Sequence, residues 1–322
     1  MRVQLHDLEL TYPPISNQEA EWLKDVPEVQ EQLKQSKLYF IAQKPESKFE
    51  FKEDVTSKIS NNKIIEFDLR TGNKFISGII DIDALINYNE INTETFDDIE
   101  IELGEKLIRL WLISKNEQPK ILDWFTTEKI LFDYSRNKEC YIKGMCNYRE
   151  FTQYNLHYIG ISKKNDSFTR LVIKPHDKRL RIISNEHPLS SGSRLTDEII
   201  LFFFNIDSLE IKQYLQDSDF DNIGKNELED KTRIVIDAEK AFVKVLNANY
   251  NQVKFNQYPI SEDGLFDSSV ERYSFSINED IEFITDDNSI FGERKNRIGQ
   301  SNSDFISIDK ENLEVNLIKL VI

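Results

Sequence analysis

The chain has 322 residues, 39% of them hydrophobic and 11% aromatic, which suits two or three packed domains and excludes global disorder. Its net charge of −16 argues against a general polyanion binder, and no run of about 20 apolar residues is present, so no transmembrane helix is expected. The first residues, Met1 to Asp7, lack the apolar stretch of a signal peptide, and the two cysteines, Cys140 and Cys146, are too few for a structural zinc site; both read as reduced thiols in a cytoplasmic protein.

In chain order, residues 17–36 predict a helix broken at Pro27, and LYFIAQ (38–43) predicts a strand. Residues 63–69 and 75–82 predict a hairpin across a Gly-Asn turn, 100–114 are ambiguous between helix and strand, and 121–133 predict a short helix. This first region, 1–135, reads as an acidic mixed α/β domain. YNLHYIGIS (154–162) predicts a strand that pairs with a short strand before it through a turn at Thr152–Asn155, bringing Tyr148 and Tyr158 together. The apolar run Ile199 to Phe204 predicts a third, buried strand. Residues 216–230 read as an insertion, and 231–246 show helical periodicity, with Glu239 beside the apolar face and Asn251 twelve residues further on. Beyond 261, four short β-like runs (273–277, 281–285, 304–308, 313–322) predict an acidic β-rich region; Arg294, Lys295 and Arg297 read there as a solvated loop.

Charge is unevenly spread. Residues 141–200 hold ten basic and six acidic side chains, the one positive block in an acidic frame, so a polyanion would meet the protein there. The block supplies Lys163, Lys164, Lys174, Lys178, Arg179 and Arg181 as candidate nucleic-acid contacts, with Pro175 placed to open a helical turn. The acidic flanks suit protein partners or self-association.

The order Tyr148, Tyr158 (in Tyr158-Ile159-Gly160), Arg170, His176, Glu239, Asn251 resembles the GIY-YIG nucleases over about 110 residues. Tyr141 and Tyr154 are alternatives for the first tyrosine. The resemblance implies an α+β domain at 136–260: a small antiparallel three-stranded sheet with packed helices. It also implies a DNA endonuclease using Mg²⁺ or Mn²⁺ held by Glu239. One tyrosine would activate water, Tyr158 would orient water or phosphate, Arg170 would bind phosphate, His176 would relay protons and Asn251 would position the site. Restriction or anti-phage defence is the role that analogy suggests. The alternatives are a non-cutting nucleic-acid-binding module on the same fold, or an acidic adaptor.

Overall fold

The computed structural model describes residues 2–52, 59, 63–115, 117–137, 140–174, 176–212, 230–296 and 299–320. The inserted segment 216–229, Pro175 and Arg297 lie outside the described residues.

The strands are β1 (Arg2–Leu10), β2 (Ile15–Ser16), β3 (Leu38–Gln43), β4 (Ser47–Glu50), β5 (Ile64–Thr71), β6 (Lys74–Asp81), β7 (Asp98–Leu103), β8 (Leu107–Ile113) and β9 (Lys120–Thr126). They continue with β10 (Ile142–Lys143), β11 (Gln153–Ile161), β12 (Ile199–Lys212), β13 (Arg272–Ile277), β14 (Glu282–Ile284), β15 (Ser289–Phe291), β16 (Phe305–Asp309) and β17 (Glu314–Ile318). The α-helices are α1 (Asn17–Leu23), α2 (Pro27–Leu33), α3 (Ile82–Tyr88), α4 (Thr127–Arg136), α5 (Asp177–Asn185), α6 (Leu195–Glu198) and α7 (Lys231–Leu246).

The protein is α+β. Its main sheet has ten strands, nine in the order β15-β14-β11-β3-β12-β1-β13-β16-β17, with β2 added against β12. Two contacts are parallel, β1 with β13 and β11 with β14; the other pairs are antiparallel. The antiparallel trio β11-β3-β12 sits inside this sheet rather than standing alone as the small sheet expected from sequence. Both faces of β3 and of the first half of β12 are covered, which explains their unbroken apolar runs. On one face Leu38, Phe40, Phe202 and Phe204 pack beneath α7, through Ala238, Ala241, Phe242 and Leu246. On the other, Tyr39, Ile41, Leu201 and Phe203 pack with Ala20 of α1, Leu33 of α2 and Ile182 of α5.

Residues 47–143 are inserted between β3 and β11 and make two further sheets, β10-β6-β5-β4 and β7-β8-β9, around a core that includes Phe49, Phe67, Leu110, Phe125 and Tyr141. The expected boundaries near 135 and 260 do not coincide with breaks in the main sheet. β1 and β3 pair with strands from beyond residue 150, and β13 and β14 join them from beyond 270.

Locally, Pro27 does not kink a long helix but opens α2 at its first turn, where its missing N–H costs nothing. The hairpin forms as β5 and β6, with Gly72 at φ +59 in its turn. Residues 100–114 fall in β7 and β8, and 121–133 begin as β9 before turning into α4. The strand pair expected around Thr152–Asn155 is absent: Tyr148–Phe151 is a single 3-10 turn, and β11 takes the distant β3 as its partner. Among the described residues no helix is long and apolar enough to cross a membrane.

Candidate active site

Two features of β11 build the site. The first is a bulge at His157: Leu156 pairs with Ala42, but Tyr158 pairs with Ile41, so one residue is extra. The bulge reverses the alternation of side chains. Tyr154 and Leu156 face α7, whereas Tyr158 faces away from it, on the same side as Tyr39. The second is Gly160, directly opposite Tyr39. A Cβ there would lie 2.6 Å from the Tyr158 ring and 2.7 Å from the Tyr39 hydroxyl oxygen. Glycine is therefore what allows the two rings to converge, with centroids 6.1 Å apart.

Around this pair stand His176, Arg170 and Glu239. The Tyr39 hydroxyl lies 2.9 Å from His176 Nε2, and the imidazole ring centroid is 5.7 Å from that of Tyr39 and 5.9 Å from that of Tyr158. Arg170 leaves a π-helical turn (Thr169–Ile173), is exposed, and donates from Nη1 to the carbonyl of Ile161 at 2.7 Å. Such turns are frequent at functional sites because they re-aim one side chain. Glu239 projects from mid-α7, half-buried, where the Ile161 N–H of β11 favours its charged form.

Asn251 works on the backbone. β14 covers only residues 153–155 of β11, leaving the rest of that edge without a strand neighbour. The Asn251 side chain fills the gap, accepting from Ile159 N–H at 3.0 Å and donating to Ile159 C=O at 2.7 Å. The N–H of Tyr250 donates to His157 C=O at 3.0 Å on the same edge. These bonds hold the Tyr158-Ile159-Gly160 segment straight beside Glu239.

The electrostatics follow from burial. Burial pushes Tyr39 and Tyr158 above the ordinary phenol range, with Glu239 adding to the rise and Arg170 opposing it. The Glu239 carboxyl is pushed up to about 7 by burial, against the pull of Lys163, Arg170 and Lys240. His176 is lowered to about 4 by burial and by Arg170 and Arg179.

Five of the six residues expected to carry chemistry thus gather: Tyr158, Arg170, His176, Glu239 and Asn251. Tyr148 does not. It is buried in the inserted region's core, edge-on to Tyr134, with its hydroxyl on Asp280. The alternatives fare no better: Tyr141 packs on Tyr88 and Phe125, and Tyr154 donates to Glu128 at 2.6 Å. The tyrosine that meets Tyr158 is Tyr39, about 120 positions earlier. A signal for it existed, since LYFIAQ already read as a strand carrying a tyrosine near its start.

The basic block also sorts itself. Arg179 is structural, donating to Asn17 and, at 2.8 Å, to Leu171 C=O. Lys163 pairs with Asp263 at 3.0 Å, and Lys240 pairs with the same carboxylate. Lys164, Lys174 and Arg181 are exposed and Lys178 half-exposed; none makes an ion pair among the described residues. Among those residues no group of three or more His, Cys, Asp or Glu side chains could hold a metal ion.

No family model, no curated protein and no solved structure matches the chain.

Proposed function

We propose that the protein is a hydrolase that cleaves phosphodiester bonds in nucleic acid, DNA in the first instance, at the Tyr39–Tyr158–Arg170–Glu239 cluster. The observation that carries the reading is the convergence of two tyrosine hydroxyls, an exposed arginine and a half-buried glutamate from four separate parts of the chain. The ordered likeness to GIY-YIG nucleases supports it, with Tyr39 in place of Tyr148 as the first tyrosine.

Each group has a task. Arg170 presents its guanidinium at the cluster, where its fork can bind phosphate oxygens as charge grows on them. A tyrosine phenolate, formed by prior loss of the hydroxyl proton to solvent, accepts a proton from water while the water oxygen bonds to phosphorus. The bond to the leaving sugar oxygen then breaks, and that oxygen takes a proton from solvent. Tyr158 orients the water or the phosphate. Lys164, Lys174, Lys178 and Arg181, without ion pairs among the described residues, supply positive charge for the phosphate backbone.

The residues fit a divalent cation. Glu239 is an oxygen donor whose carboxyl stays raised despite three neighbouring cationic side chains, so its negative charge is under-compensated. A Mg²⁺ or Mn²⁺ with a single protein carboxylate keeps most of its waters. Bound at Glu239, the ion would supply positive charge to the phosphate and the leaving oxygen.

The test is cleavage of supercoiled plasmid with Mg²⁺, with EDTA, and with the double variant Tyr39→Phe/Arg170→Ala. Nicking or linearisation is expected from wild type with metal only. Cleavage that persists in the double variant rejects the site. Salt-sensitive DNA binding with no cleavage under any divalent ion assigns the fold to a non-cutting binding module instead.

A further inference from the structure

Sequence resemblance makes His176 a proton relay, that is, a group that takes a proton from the neighbouring tyrosine. The hydrogen bonds at both of its ring nitrogens decide whether it can. His176 is the N-cap residue of α5, and the backbone N–H of Arg179 donates to its Nδ1 at 3.2 Å. Nδ1 therefore carries a lone pair, not a proton. A neutral imidazole has one N–H, so the proton is on Nε2, which faces the Tyr39 hydroxyl oxygen at 2.9 Å.

We infer that His176 is a fixed hydrogen-bond donor to the Tyr39 oxygen, locked in its Nε2–H tautomer by the helix it caps, and that it does not accept the tyrosine's proton. Two consequences follow. The donor stabilises a Tyr39 phenolate, easing the ionisation that burial opposes. The Tyr39 proton has to leave on another side, toward Tyr158, because taking it up at Nε2 would require a lone pair there and a proton on Nδ1, against the Arg179 N–H. The surroundings agree: Arg170, Arg179 and Lys178 all disfavour an imidazolium, with Asp177 the one opposing charge, and the ring is lowered to about 4. His176 thus acts through Tyr39, as a positioning residue. The mechanistic consequence rests on the hydrolase reading; the hydrogen-bond direction does not.

The experiment is ¹⁵N–¹H correlation spectroscopy of the full chain labelled at its histidine ring nitrogens, near pH 7 and without substrate. There are only four histidines, so His176→Asn identifies the signal by its loss, and if that variant does not fold, substitutions of His6, His157 and His187 identify it by elimination. The expected pattern is a proton on Nε2 and a lone pair on Nδ1, with the opposite tautomer at least tenfold less populated. A proton on Nδ1, or on both nitrogens, overturns the inference whether or not the protein cleaves DNA. If the wild type cleaves, His176→Asn is expected to slow kcat about tenfold and leave the acidic limb of the pH profile in place. Disappearance of that limb would make His176 the base and overturn the donor role.

Discussion

Two clusters on the central strands combine tyrosine, carboxylate and cation, and they are built to opposite ends. In the first, Lys44 and Glu128 are each 3% exposed. Lys44 Nζ lies 2.6 Å from Glu128 and donates to Phe151 C=O at 3.0 Å, while Tyr154 donates to the other carboxylate oxygen at 2.6 Å. The charges meet each other inside the protein, and the cluster ties the inserted region to the main sheet. In the second, Tyr39, Tyr158 and Glu239 are only partly compensated, and the guanidinium of Arg170 stands exposed. The same three kinds of group make a closed structural tie in one place and, in the other, a cluster whose cation and carboxylate reach the surface beside two buried tyrosines. Completeness of the local bonding separates the two.

That contrast can be tested by breaking each cluster. The largest effect is expected from Glu239→Gln, which keeps shape but loses the charge. Plasmid cleavage should fall about 10³-fold or more, with the circular dichroism spectrum unchanged. Lys44→Ala should do the reverse. It leaves Glu128 buried without its cation and should cost about 3–5 kcal/mol in urea unfolding. The paired change Lys44→Met with Glu128→Leu should recover most of that loss. A cost under 1 kcal/mol for Lys44→Ala would mean that the pair is hydrated and the contrast false.

A third effect is smaller and has the opposite sign. The Glu239 carboxyl titrates in the folded protein at about 7, against an ordinary 4.5, so ionising it penalises the folded state. The penalty is absent below the ordinary value, grows through the interval up to about pH 7 and is complete above it. Its ceiling is on the order of 3 kcal/mol. Glu239→Gln should therefore be more stable than wild type at pH 8 and equal to it at pH 4. Mg²⁺ should raise the melting temperature of the wild type but not of the variant. Equal stability at pH 8 would mean that the carboxylate is already compensated. The smallest effect is expected from Tyr148→Phe, which loses the bond to Asp280: about 1 kcal/mol of stability, and cleavage within twofold of wild type.

Much of the site could be read from sequence because its later members keep local spacing. Tyr158 and Gly160 share one strand, Arg170 and His176 flank the next turn, and Asn251 follows the Glu239 helix closely. Each of these depends on periodicity within a single element, which sequence displays directly. Tyr39 depended on which strand pairs with β11, and that is settled by packing between segments about 120 residues apart. A search for its partner among nearby tyrosines could only find Tyr141, Tyr148 and Tyr154, all of them core or inter-region residues here. The pairing of the first residues with much later ones was hidden for the same reason. β1 was not recognised as a strand, although it contacts both β12 and β13 in the middle of the main sheet. Arg179 reads from sequence as a nucleic-acid contact because its side-chain partners, Asn17 and Leu171, are set by tertiary contact.

The insertion between β3 and β11 also bears on how the chain reaches its native state as it is synthesised. The β5–β6 and β7–β8–β9 pairings are between neighbours in sequence and can form as soon as those residues emerge. β3 has no such neighbour. Its two partners, β11 and β12, are made more than a hundred residues later, and the β13 strand that flanks β1 later still. Until then the segment LYFIAQ, fully buried in the finished protein, has both edges open. A nascent chain of this protein thus carries a sticky strand through about half of its synthesis, until residue 204 is made, which predicts a demand for chaperone cover that the early-folding insert alone would not have.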